Sequence, residues 1–202
     1  MMKRKIRVAI LISSRGSNMQ KLIEACENPN FPAEIIVVGS NNSYALGLEY
    51  AKSKSINTFV IDNKNFAKFE NSREEFDKAL HSEILKYDVE IICLAGFMRL
   101  LSEWFVDKWH NKIINIHPSL LPDFKGAYAV KDALNAQVKI SGCTTHFVSH
   151  EMDAGPIIMQ SQVLVNYDDN LETLSQKILI KEHEIYPLTL EKICNKILEK
   201  RL

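Results

Sequence analysis

The chain has 202 residues, 46% of them hydrophobic and 25% charged, which excludes disorder, collagen-like repeats and long coiled coils and suits one domain spanning residues 1–202. Its 25 basic residues balance 25 acidic ones, so it lacks the surplus needed to wrap nucleic acid, although two or three local donors would still hold a small anion. No apolar run approaches the ~18 residues of a membrane span, and four widely spaced cysteines form no zinc or disulfide pattern, pointing to reduced thiols in a cytoplasm.

The opening, with Lys3, Arg4, Lys5 and Arg7, reads as a solvated lead-in rather than a signal segment, because the apolar stretch 8–12 stops at Ser13. Five apolar, β-branched runs follow, at 7–13, 34–40, 57–61, 90–95 and 112–116. Their continuous rather than alternating apolarity predicts parallel strands covered on both faces. Helical spacing places helices at 17–27, 45–54 and 72–86. The last opens on Ser72 and Glu75, the spacing of a capping box, and aligns Phe76, Leu80, Ile84 and Tyr87 on one stripe. This repetition predicts an α/β, doubly wound, mostly parallel sheet. After a short helix at 129–135, the runs 141–148 and 157–165 flank a turn-rich loop and are expected as added, partly antiparallel strands. A long C-terminal helix should begin near 169–170 and kink or break at Pro187.

Ligands of open α/β sheets bind beyond the carboxyl ends of the strands, and three predicted strand ends carry unusual segments. After the first strand, Ser14-Arg15-Gly16-Ser17-Asn18 opens a helix, where free N–H groups and the positive helix end suit an anion. Gly16 permits close approach, Ser17 can cap the helix, and Arg15 adds a cation. Neither a dinucleotide fingerprint nor a P-loop is present. After the fourth strand, the segment from Ala95 to Leu101 places Phe97, Met98, Leu100 and Leu101 around Arg99, a wall suited to a flat heteroaromatic ligand.

At the end of the fifth strand, Asn115 and His117 stand two residues apart and so face one side. An amide donor beside an imidazole is the equipment of acyl transfer. A carboxylate to orient the histidine could come from Asp153 or from Glu151, both in the 150–156 loop, and the chemistry alone does not choose between them.

Together the segments N-x-H-P-S-L-L-P (115–122), A-G-F-M-R-L-L (95–101), R-G-S-N (15–18) and M-D-A-G-P (152–156) resemble the glycinamide ribonucleotide transformylases, folate-dependent formyltransferases of purine synthesis. The match runs from about Arg7 to Pro187. The resemblance implies a Rossmann-like formyltransferase fold and transfer of formyl from 10-formyltetrahydrofolate to the amine of glycinamide ribonucleotide, with no metal. It further implies that Gly16, Ser17 and Asn18 hold the substrate phosphate and that Glu182 holds its ribose. Met98, Arg99 and Leu101 would line the pterin pocket, with Asn115, Met152 and Asp153 bordering it. Asn115, His117 and Asp153 would be the catalytic trio, and His146 would support them. Ser14 and Arg15 depart from many relatives, and Tyr128 and Val130 stand where histidines are common.

Methionyl-tRNA formyltransferases share the N-x-H and S-L-L-P elements but normally add a C-terminal domain, whereas this neutral chain is expected to end with its catalytic domain. Formyltetrahydrofolate hydrolases normally carry a regulatory domain before the first strand, which here is expected near Arg7. A folate or phosphosugar binding module would need no catalytic trio. The expected partners are small molecules, with no nucleic acid and no membrane, and the chain could be a monomer or a homodimer.

Overall fold

The computed structural model describes residues 4–200, so Lys3 of the basic lead-in lies outside the described residues. Seven strands form one sheet: β1 (Ile6–Ile12), β2 (Ala33–Ser40), β3 (Asn57–Val60), β4 (Ile91–Leu94), β5 (Ile113–His117), β6 (Ile140–Phe147) and β7 (Ile157–Leu164). Their spatial order is β3-β2-β1-β4-β5-β6-β7. The first five pair in parallel, while β6 runs antiparallel to β5 and β7 antiparallel to β6.

The continuous apolarity of β1 has a direct cause. Ile6, Val8, Ile10 and Ile12 pack against α1 (Ser17–Cys26), α2 (Leu46–Ser53) and α6 (Leu171–Glu199). The alternate residues Ala9 and Leu11 pack with Phe76, Leu80 and Ile84 of α3 (Ser72–Leu85) and with Phe105 of α4 (Glu103–Lys108). Both faces of the central strand are therefore removed from water, the arrangement that favours parallel strands, while the edge strands β3 and β7 stay largely exposed. The short helix α5 (Ala129–Asn135) stands where the sequence predicts it, and α4, capped by Ser102, is an addition to that reading.

Three local expectations are corrected. The Ser72–Glu75 capping box does not form: Asn71 occupies the N-cap position without a side-chain bond, and Glu75 pairs with Lys78 at 2.8 Å. Ser17 is likewise not the cap of α1, because Gly16 holds that position with φ 67° and lets the chain turn directly into the helix. Pro187 does not break α6. Proline deprives the carbonyl four residues earlier of its donor, yet the buried face continues through Leu174, Ile178, Ile185, Tyr186 and Leu190, and this packing holds the helix together across the defect. Asn170 and Thr173 form a reciprocal capping box at the start of α6.

From β1 the chain winds toward β2 and β3, and from β4 it winds toward β5. The carboxyl ends of β1 and β4 therefore flank a switch point, where open sheets leave a crevice for ligands.

Candidate active site

A cavity of about 690 Å³ opens beyond β4 and β5. Met98, Arg99 and Leu101 line it from the turn after β4, Asn115 and His117 from β5, His146 from β6, and Met152 and Asp153 from the loop before β7. The antiparallel register sets Asn115 opposite His146, which is why residues separated by 31 positions share the site.

Backbone carbonyls assign the histidine protons. Nδ1 of His146 lies 2.9 Å from the Phe147 carbonyl and therefore donates to it, which leaves Nε2 to accept from Asn115 Nδ2 at 3.2 Å. Burial holds His146 below the ordinary histidine value of 6.5, in keeping with this neutral form. Nε2 of His117 donates to the Phe124 carbonyl at 2.9 Å, and its Nδ1 lies 3.4 Å from Asp153 Oδ2. Asp153 is turned inward at φ 52°, and Oδ2 also accepts the Gly126 N–H at 2.8 Å. Glu151, the other candidate carboxylate, also borders the cavity but pairs with Lys125 at 2.8 Å and remains largely exposed.

The 14–18 segment, expected from the sequence to suit an anion, stands apart from this cavity. Arg15 is exposed, while Gly16 and Asn18 are buried and Ser17 is half-buried. The side chain of Asn18 donates to Glu182 Oε2 at 2.7 Å, so its amide is already engaged by that carboxylate. Burial pushes the Glu182 carboxyl up to about 7, against the lowering effect of the Asn18 bond. The Met98 N–H donates to Ser13 Oγ at 2.8 Å, and Met98 borders both the main cavity and a second one of about 400 Å³ that includes Ser13 and Ser14. Of the two departures after Pro122, Tyr128 is exposed and Val130 packs on the core.

The sequence reading missed Arg73, which lines the cavity beside Arg99. It belongs to the first turn of α3, far from any motif, and no local signal marks it. Phe124 and Gly126 were also missed as partners of His117 and Asp153, because they act through backbone atoms.

The chain matches the formyl transferase family over residues 6–190. It is 48% identical over 191 residues to the trifunctional purine biosynthetic protein adenosine-3 of Gallus gallus, covering 95% of this chain and 19% of that protein. It thus spans about a fifth of the length of that trifunctional relative. It is 37% identical to the phosphoribosylglycinamide formyltransferase of Escherichia coli (strain K12), covering 92% of this chain and 85% of the relative. The glycinamide ribonucleotide transformylase 1 structure from Symbiobacterium toebii superposes with a TM-score of 0.91 at 38% identity, covering 95% of this chain and 89% of that one. The chain belongs to the formyl transferase family, on its phosphoribosylglycinamide formyltransferase branch.

Proposed function

We propose that the protein transfers the formyl group of 10-formyltetrahydrofolate to the amine of glycinamide ribonucleotide in purine biosynthesis, using one formyltransferase domain. The observation that carries this reading is the pairing of His117 with Asp153 and of Asn115 with His146 at one end of a single cavity.

The neutral glycyl amine attacks the formyl carbon, a C–N bond forms, and the carbonyl oxygen gains charge. Asn115 has two amide N–H groups, and with one given to His146 the other serves the oxyanion. His117 contributes as an imidazolium. Its Nε2–H is held by Phe124, and the second proton sits on Nδ1, facing Asp153 across 3.4 Å. That separation is longer than a strong hydrogen bond, so the Nδ1–H is not saturated and can serve the oxyanion. Asp153 then takes a proton from the attacking amine, directly or through water, and passes it toward the departing folate nitrogen as the old C–N bond breaks.

The apolar turn around Met98 and Leu101 accommodates the pterin, and Arg73 with Arg99 suits the carboxylates of the folate tail. Gly16, Ser17 and Asn18 receive the substrate phosphate through backbone N–H groups, with Arg15 nearby and Glu182 on the ribose. Small-molecule partners and a cytoplasmic setting follow from this reading. Four free cysteines are consistent with that setting, and no helix among the described residues is long and apolar enough to cross a membrane.

The test supplies 10-formyltetrahydrofolate with glycinamide ribonucleotide, with initiator methionyl-tRNA, or with water alone. Formyl transfer to the ribonucleotide only is the expected result. Transfer to the tRNA, hydrolysis at a comparable rate, or tight binding of both ligands without product would each replace this reading with a different one.

A further inference from the structure

Asp77 lies on α3 immediately after Phe76 and is 1% exposed. Its Oδ2 accepts the backbone N–H of Ser102 at 2.5 Å. Ser102 is the N-cap of α4 and closes the turn that carries Met98, Arg99 and Leu101 into the cavity. Burial raises the Asp77 carboxyl, while the Ser102 bonds and then the charges of Arg99 and Arg73 pull it back down.

Arg99 shows the reciprocal pattern. Burial lowers its guanidinium and the charge of Asp77 counters that effect. The guanidinium carbon stands 4.3 Å from the centroid of the Phe76 ring, and Nε is buried without a hydrogen-bond partner among the described residues. Arg99 is thus stacked on one residue of α3 and held in the field of the next, with donor capacity left over at the cavity wall.

We propose that Asp77 is a positioning residue for the anionic tail of the cofactor. It anchors the Ser102 end of the turn and supplies the counter-charge that keeps Arg99 stacked on Phe76 and directed, with Arg73, at a carboxylate. A purely structural role would require only an acceptor for the Ser102 N–H, which an asparagine also provides. What asparagine lacks is the charge, and a buried charge is costly without a paired function. The proposal rests on the reading of Arg73 and Arg99 as the tail subsite.

The experiment compares KM for 10-formyltetrahydrofolate with KM for a 10-formyl pteroyl analogue that has no glutamate, in the wild type and in Asp77→Asn. The substitution should raise KM for the glutamate-bearing cofactor about tenfold, the order expected on weakening one hydrogen bond to a charged group. KM for the tail-less analogue and kcat for both should stay near wild type. An equal rise for both cofactor forms would assign Asp77 to the structure of the turn alone and overturn the proposal, as would unchanged KM values. If the wild type does not distinguish the two forms, the arginine subsite itself fails, and the proposal fails with it. Should Asp77→Asn not fold, Asp77→Glu displaces the carboxylate by one methylene and should raise KM for the glutamate-bearing cofactor alone, by a smaller factor; an equal rise for both forms, or none, overturns the proposal.

Discussion

The amide of Asn115 and the imidazole of His146 face each other across the β5–β6 ladder, Nδ2 to Nε2 at 3.2 Å, with the other ring nitrogen held by the Phe147 carbonyl. This fixes which edge of Asn115 meets the cavity. His146→Leu should therefore lower kcat by about ten- to a hundredfold, the range for a buried donor left without its acceptor, while KM changes little. His146→Gln returns an acceptor and should recover part of the loss. Because burial keeps His146 below 6.5, protonation should damage kcat only at pH values beneath that point. Steady-state kinetics across pH on the wild type and the two variants checks both statements, the acid loss of kcat being expected in the wild type and absent from the variants.

Glu182 makes a stability prediction with a defined sign. Its carboxyl is raised from 4.5 to about 7, so the folded state binds more protons than the unfolded chain between those values. Stability from this group is fully present below pH 4.5 and is lost as pH rises through about 7. Glu182→Gln keeps an acceptor for Asn18 and removes the ionisation. The variant should melt above the wild type at pH 8, show no such gain at pH 4.5, and bind glycinamide ribonucleotide more weakly. Thermal melts at the two pH values and substrate titration measure these effects; an equal shift in Tm at both would contradict the linkage.

Gly126 joins the loop after Pro122 to Asp153. At φ 87° its backbone lies where a Cβ is strained, although the space itself is open to Met152 at 3.5 Å. Gly126→Ala should cost about 1 kcal/mol of stability through the backbone. It should also lower kcat about tenfold by moving the N–H away from Asp153, a hydrogen bond to a charged group. Denaturant unfolding and kcat, measured on the same preparation, separate the two effects.

The parts of the molecule legible in the sequence are those written in contiguous residues. Both faces of β1, β2, β4 and β5 are covered, so their apolarity is continuous and the runs stand out, whereas the edge strand β3 keeps Asn57 and Val60 exposed; the segments 95–101 and 115–117 lie at strand ends where the fold places ligands. What escaped depends on distant or backbone partners. Nothing local to Arg73 links it to Arg99. The bond that engages the Asn18 amide exists only because α6 sets Glu182 against α1, and the choice of Asp153 over Glu151 needs Lys125 and Gly126 in place. Ser72 and Glu75 matched a capping pattern, but Lys78 took the glutamate.

The most direct measurement of the central claim is the single-turnover rate of formyl transfer to glycinamide ribonucleotide by wild type and Asn115→Ala at saturating substrates. Loss of one oxyanion donor should slow that step by ~100–1000-fold, with the variant still folded and still binding both ligands. A near wild-type rate in Asn115→Ala would contradict the account, because the amide fixed by His146 would then have no part in the chemistry.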